Sequence, residues 1–159
     1  RATELLRPYE LDIMVFDPFM PEEKAAAMGV TQASLEEIFE NCHIISNHLA
    51  NNPQTVGMIN KSCFDRMMPS AVFINTGRGA QVNEADMIDV LKARPDLTAL
   101  LDVTFPEPPV EGSELYTLPN VKLSSHIAGS LNDEVHRMSE YMIDEFKRFI
   151  SSLHRNNQR

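Results

Sequence analysis

The chain is 159 residues long, 43% hydrophobic, and carries a net charge of −9. That length holds one domain with a real core. No apolar run approaches the ~20 residues of a membrane span, and the acidic balance argues against nucleic acid or an anionic membrane as partner.

The opening stretch RATELLRPYE lacks the apolar segment of a secretory signal. LDIMVFD (11–17) reads as a strand ending in Asp-Pro. Ser34, with Glu37 three residues on, forms a capping box that starts a helix through SLEEIFEN. HIISNHL (43–49) is the next apolar run, and NKSCFDRM (60–67) reads as a short helix. AVFIN (71–75) is strongly strand-like, and Asn83 caps a helix through EADMIDVLKA that Arg94-Pro95 ends. LTALLD (97–102) and NVKLSS (120–125) are further strands, and a long helix runs from about Asn132 to Leu153. Cys42 and Cys63 have no CxxC spacing and read as reduced thiols of a cytoplasmic protein, one or both at least partly buried.

Strands alternating with helices imply an α/β fold, a Rossmann-like parallel sheet flanked by helices. Several strands are apolar on both faces, as buried parallel strands are. In such sheets ligands sit beyond the carboxyl ends of the strands, which directs attention to Asp17, His48, Asn75 to Gly79, Asp102 to Pro108 and Ser125 to Gly129. The long helix carries Val135, Met138, Met142, Phe146, Phe149 and Leu153 on one stripe, a pattern of core or of a subunit contact. His43, His136 and His154 read as structural or solvent-facing, and no residue is assigned to a metal.

The stretch INTGRGAQVN (74–83) admits two readings. As a phosphate cradle, Gly77 and Gly79 follow a strand, precede a helix, and have Asp102 downstream at a strand end where a ribose-binding acid would fall. However, a dinucleotide fingerprint needs a small residue three positions past its second glycine, and Val82 stands there. Alternatively, the stretch places Arg78 in a site, since a guanidinium at a strand tip holds a carboxylate by two parallel hydrogen bonds. On this reading the glycines let the backbone turn sharply and let a ligand approach. The next strand tips supply Glu107, in DVTFPEP, and His126, in SSHIAGS. Singly, each is more ordinarily a surface or structural residue; together, at equivalent places in successive units, they favour a site.

The ordered set VFDPF, INTGRG, LLDVTFPEP and SSHIAGS resembles the nucleotide-binding domain of the D-isomer-specific 2-hydroxyacid dehydrogenases, over residues 1 to about 150. The resemblance implies that Arg78 binds the substrate carboxylate, Glu107 supports the catalytic histidine, and His126 is the acid/base. It implies NAD as cofactor, with Asp17 and Pro18 at the adenosine ribose, Asp102 at the nicotinamide carboxamide, and His48, Thr76, His126 and Gly129 beside it. SNHLANNPQT matches the segment passing near the cofactor, with Ala50 where proline is usual.

It further implies a small 2-hydroxy or 2-keto acid as substrate and a homodimer. Residues 1–159 would be a partial dinucleotide-binding domain of a longer two-domain enzyme, without the first strand and the Gly-x-Gly-x-x-Gly turn. That missing strand is central in the usual order, so unpaired edges are expected on both sides of its place. The alternatives are a non-catalytic corepressor-like binding protein of the same fold and a fragment inactive in isolation. Glutamine in place of Glu107 would have suggested a formate-acting relative.

Overall fold

The computed structural model describes residues 2–129, 131 and 133–156, the side chains of 152–156 excepted. It divides into two compact units, one ending at Ser124 and the other beginning at Ser125. The first unit opens with the short helix α1 (Ala2–Leu6) and a 3₁₀ turn, Arg7–Tyr9. Then follow β1 (Met14–Val15), α2 (Glu22–Met28), β2 (Thr31–Gln32), α3 (Leu35–Asn41), β3 (Ile44–Asn47), α4 (Lys61–Asp65) and β4 (Val72–Asn75). A 3₁₀ turn, Gly79–Gln81, leads to α5 (Glu84–Ala93), β5 (Thr98–Leu101) and β6 (Val121–Leu123), with another 3₁₀ turn, Glu114–Tyr116, before β6.

All strand pairings are parallel, as the alternation with helices predicts. The sheet is nevertheless split. Among the described residues β1 pairs only with β2, while β3, β4, β5 and β6 form a separate four-stranded sheet in that order. The expected free edges on β1 and β3 are therefore present, and the two sheets do not close onto each other.

Local chemistry sets the helix ends. Ser34 Oγ accepts from the Glu37 N–H at 3.1 Å and Glu37 Oε2 accepts from the Ser34 N–H at 2.7 Å, which is the capping box read from the sequence. The hydrogen bond from the Ser34 backbone N–H, and after it that from the Ser34 hydroxyl, hold the Glu37 carboxyl below its ordinary range. Asn60 and Asn83 cap α4 and α5 by accepting from the backbone N–H groups of Ser62 and Asp86.

Strand register aligns Ile45, Phe73, Ala99 and Val121 in one row, all buried. Beneath it, Phe73 packs with Phe39 and Phe64, the Phe64 and Phe73 rings meeting edge to face at 5.1 Å. The apolar pattern of the strands implies burial on both faces, but within this unit only one face is buried. On the other, Ile44 is 65% exposed and Val72, Ile74 and Leu100 are half-buried.

In the second unit, α6 (Glu134–Asn156) is the predicted long helix. Its stripe of Val135, Met138, Met142, Phe146 and Phe149 is 53–65% exposed, not core. Asn132 lies outside the described residues, as do the side chains of Leu153 and His154; His43 and His136 are exposed. Cys42 and Cys63 are free thiols, half-buried and buried, and burial pushes both upward in pKa, away from thiolate reactivity. No helix among the described residues is long and apolar enough to cross a membrane.

Candidate active site

The row of strand residues nearest the carboxyl ends departs from the apolar core. Asn47 pairs in register with Asn75, and Asn75 with Leu101. Strand parity puts both asparagines on the buried face, two residues beyond Ile45 and Phe73. Asn47 Nδ2 donates to Asn75 Oδ1 at 3.0 Å, and Asn75 Oδ1 also accepts from the Gly77 N–H at 3.1 Å. A buried amide network therefore closes the core beneath the strand tips and fixes the turn carrying Arg78.

Arg78 has extended backbone (φ −142°) and an exposed side chain whose Nη1 donates to the Gly77 carbonyl at 2.7 Å. No ion pair among the described residues includes it. A guanidinium at a strand tip without a carboxylate partner can take one from a ligand.

The glycines beside it act differently from the expectation. Neither has the left-handed backbone of a glycine-requiring turn; the positive-φ glycines are Gly29, Gly57 and Gly112. Gly79 is required because its Cα faces the next strand tip, where an added Cβ would sit 2.1 Å from the Thr104 carbonyl carbon and oxygen. At Gly77 it would meet Gln81 Oε1 at 3.0 Å and Asn47 Nδ2 at 3.1 Å. The neighbouring loops, rather than a ligand, make the close approach. The 3₁₀ turn also separates the glycines from the N-terminus of α5, which leaves no helix end aimed at them.

That approach brings the loop from Asp102 to Pro108 against the Arg78 turn. The Asp102 N–H donates to the Asn75 carbonyl at 2.9 Å, the Phe105 N–H donates to Glu84 Oε2 at 3.2 Å, and Thr104 Oγ1 donates to the Pro106 carbonyl at 3.0 Å. Burial raises the Glu84 carboxyl above its ordinary range. Glu107 lies exposed on this loop.

Asp102 is itself buried and accepts from Ser124 Oγ at 2.5 Å. It lines an open cleft of about 180 Å³ with Ile74, Thr76, Leu100, Lys122 and Ser124. In the two-stranded sheet, Asp17 ends the β1 segment, with Oδ1 accepting from the Phe19 N–H at 2.9 Å, and Pro18 is exposed beside it. His48 is exposed after β3, its Nε2 2.9 Å from Ser46 Oγ.

One unit thus holds Asp17, Pro18, His48, Thr76, Arg78, Asp102 and Glu107. His126 and Gly129 belong to the other, where both are exposed and His126 has left-handed backbone (φ +55°). The residues not singled out from the sequence are Asn47, Gln81, Glu84 and Ser124. For Asn47 the signal is parity, since it stands two positions past the core hydrophobe Ile45 on the same face.

A parallel α/β sheet with acidic, hydroxyl and guanidinium groups beyond its carboxyl ends defines a Rossmann-like nucleotide-binding domain. The family profile described as "D-isomer specific 2-hydroxyacid dehydrogenase, NAD binding domain" matches residues 1–128, and the chain belongs to that family. It is 37% identical to the protein YoaD of Bacillus subtilis over 82% of this chain and 37% of that one. It is 32% identical to a D-3-phosphoglycerate dehydrogenase of Archaeoglobus fulgidus over 78% of this chain and 24% of that one. Among solved structures, holo D-mandelate dehydrogenase of Rhodotorula graminis superposes with a TM-score of 0.77 at 26% identity, over 93% of this chain and 43% of that one. The chain thus spans well under half the length of these relatives.

NAD is the cofactor of this domain family. The residues present fit its two ends. Asp17 offers a carboxylate at a strand end, suited to ribose hydroxyls, and Thr76, Asp102 and Ser124 offer hydrogen-bonding groups around the cleft. No Gly-x-Gly-x-x-Gly stretch occurs in the 159 residues to cradle a pyrophosphate.

Proposed function

We propose that the chain is the partial dinucleotide-binding domain of a longer two-domain enzyme, an NAD-dependent oxidoreductase interconverting a D-2-hydroxy acid and its 2-keto acid. The observation that carries this reading is Arg78, an exposed guanidinium unpaired with any described carboxylate at a strand tip, set against the loop that bears Glu107. The split between β1–β2 and the four-stranded sheet supports the domain reading, because it leaves edges on β1 and β3 that a further parallel strand could pair with.

In this reading Arg78 grips the substrate carboxylate and turns C2 toward the cofactor. NAD supplies the hydride acceptor, and NADH the donor. His126 removes the hydroxyl proton as the alcohol is oxidised and returns it on reduction. Glu107 orients the His126 ring for that transfer and fixes its tautomer. Asp17 and Pro18 meet the adenosine ribose, and His48, Thr76, Asp102 and Gly129 line the cofactor's path. The enzyme is a cytoplasmic homodimer that acts on a small molecule and engages neither nucleic acid nor membrane, in keeping with the net charge of −9. A screen of 2-keto acids with NADH tests the reading, and a folded, cofactor-bound full-length enzyme that turns over none of them would refute it.

NAD should be preferred over NADP, because the Asp17 carboxylate accepts from ribose hydroxyls and repels a 2′-phosphate. The kcat/KM ratio for the two cofactors decides this, and a preference for NADP would show that Asp17 does not face the ribose.

Glu107→Gln should lower kcat without abolishing turnover. The amide keeps the size of the side chain but loses the carboxylate that orients His126 for proton transfer. Steady-state kinetics measure this, and an unchanged kcat would mean that Glu107 does not act on His126.

A further inference from the structure

We propose that Gln81 is the positioning residue of this site, a single buried amide that sets the Arg78 turn and the loop after β3 in one fixed relation. This rests on the reading of Arg78 as the substrate anchor. The Gln81 side chain is 0% exposed. Its Oε1 accepts from Asn47 Nδ2 at 2.6 Å and from the Arg78 N–H at 3.2 Å. Its Nε2 donates to the carbonyls of Leu49 at 2.7 Å and Ala50 at 3.1 Å. Both acceptor sites and both donor hydrogens of the amide are used, which is the full capacity of the group.

The geometry follows from the 3₁₀ turn. That turn ends at Gln81, and its backbone is tied from outside by the Gly57 N–H donating to the Ala80 carbonyl at 2.9 Å and the Ile59 N–H donating to the Gln81 carbonyl at 3.0 Å. From this anchored point the side chain reaches back to the residue that carries the guanidinium. The Arg78 carbonyl accepts in addition from Asn75 Nδ2 at 3.3 Å. Arg78 therefore has its backbone clamped on both sides by buried amides while its side chain stays exposed. An arginine side chain has many rotamers, so where its guanidinium can meet a carboxylate is set largely by where its Cα is held.

The donating half of Gln81 does a second job. Leu49 and Ala50 directly follow His48, which the reading places beside the cofactor. One side chain thus joins the substrate's anchor to the cofactor's loop. An apolar side chain of similar size at 81 would leave the Asn47 amide, the Arg78 N–H and two carbonyls short of partners inside the protein.

The test compares three variants in the full-length enzyme. Gln81→Leu removes all four bonds and should raise KM for both the 2-keto acid and NADH about tenfold or more, with a smaller change in kcat. Gln81→Glu keeps the accepting half, so KM for the 2-keto acid should return toward wild type while KM for NADH stays raised. Asn120→Leu is the stability control. Asn120 Nδ2 donates to the carbonyls of Leu91 and Leu97, each at 3.0 Å, just before β6 and away from the strand tips. It should lower the melting temperature and leave both KM values unchanged.

Hydrogen exchange at the Arg78 amide gives a readout independent of turnover, and it should accelerate in Gln81→Leu and recover in Gln81→Glu. A Gln81→Leu enzyme with wild-type KM values, or with an Arg78 amide as protected as before, overturns the proposal. A wild type that turns over no 2-keto acid overturns the reading of Arg78 instead, and leaves the exchange result to decide whether Gln81 holds the turn.

Discussion

His126→Ala in the full-length enzyme should lower turnover by about 10²–10⁴-fold, the usual worth of a positioned proton-transfer group. NADH affinity should stay near normal, because the residues assigned to the two ends of the cofactor, Asp17 and Asp102, are untouched. Kinetics read alongside direct titration of NADH separate the two effects. If the variant kept more than about a tenth of the activity, far above that loss, another group would have to be the acid/base. A parallel loss of NADH binding would instead make His126 a residue that holds the second unit's loop. Its left-handed backbone at φ +55° makes this a fair contest, since a non-glycine residue adopts that conformation only where its surroundings impose it.

Gly79→Ala should be the most damaging single methyl in the first unit. The added Cβ would lie 2.1 Å from two backbone atoms of Thr104 and 2.7 Å from the Phe105 nitrogen, so no side-chain rotation can relieve it. Either the Arg78 turn or the Asp102–Pro108 loop must move. Overpacking of this kind costs about 1–3 kcal/mol, and a contact with backbone belongs at the upper end of that range. Because the displaced segments carry Arg78 and Glu107, turnover should fall further than the stability loss alone explains. Denaturant unfolding and kcat/KM on the same preparation measure both. A variant with wild-type stability would show that the two loops are not packed as described.

The alternation of strands and helices was readable because apolar runs and caps are local signals. Ser34 with Glu37, and Asn83 before its helix, mark helix starts that the hydrogen bonds confirm. The strand read over 11–17 is present but shrinks to Met14–Val15, whereas β2 and the helix α2 before it escaped notice, because a two-residue strand carries too little periodicity to register.

Burial was harder to read. Periodicity shows which residues share a face but not what the face meets, and so Ile44 and Val72 look like core from sequence yet stand on the uncovered side of their sheet. The role of Gly79 was hidden for the same reason. Its partner, Thr104, is far along the chain, and the sequence offers only the freedom of a glycine, not the neighbour that demands it. Gln81 carried no motif at all. Its importance comes from four partners, Arg78 three residues back and Asn47, Leu49 and Ala50 in a distant segment that only the fold brings to it.

The central claim is a hydride passed between the nicotinamide and C2 of a 2-keto acid whose carboxylate Arg78 holds. The most direct test is reduction of an accepted 2-keto acid by the full-length enzyme with NADH deuterated at C4 on the transferred face, with the product read by NMR and chiral chromatography. Deuterium at C2 of a D-2-hydroxy acid is the predicted result, and it should be lost in step with turnover when Arg78 is replaced by leucine. A product of L configuration, a C2 without deuterium, or full transfer by the Arg78→Leu enzyme would contradict the account.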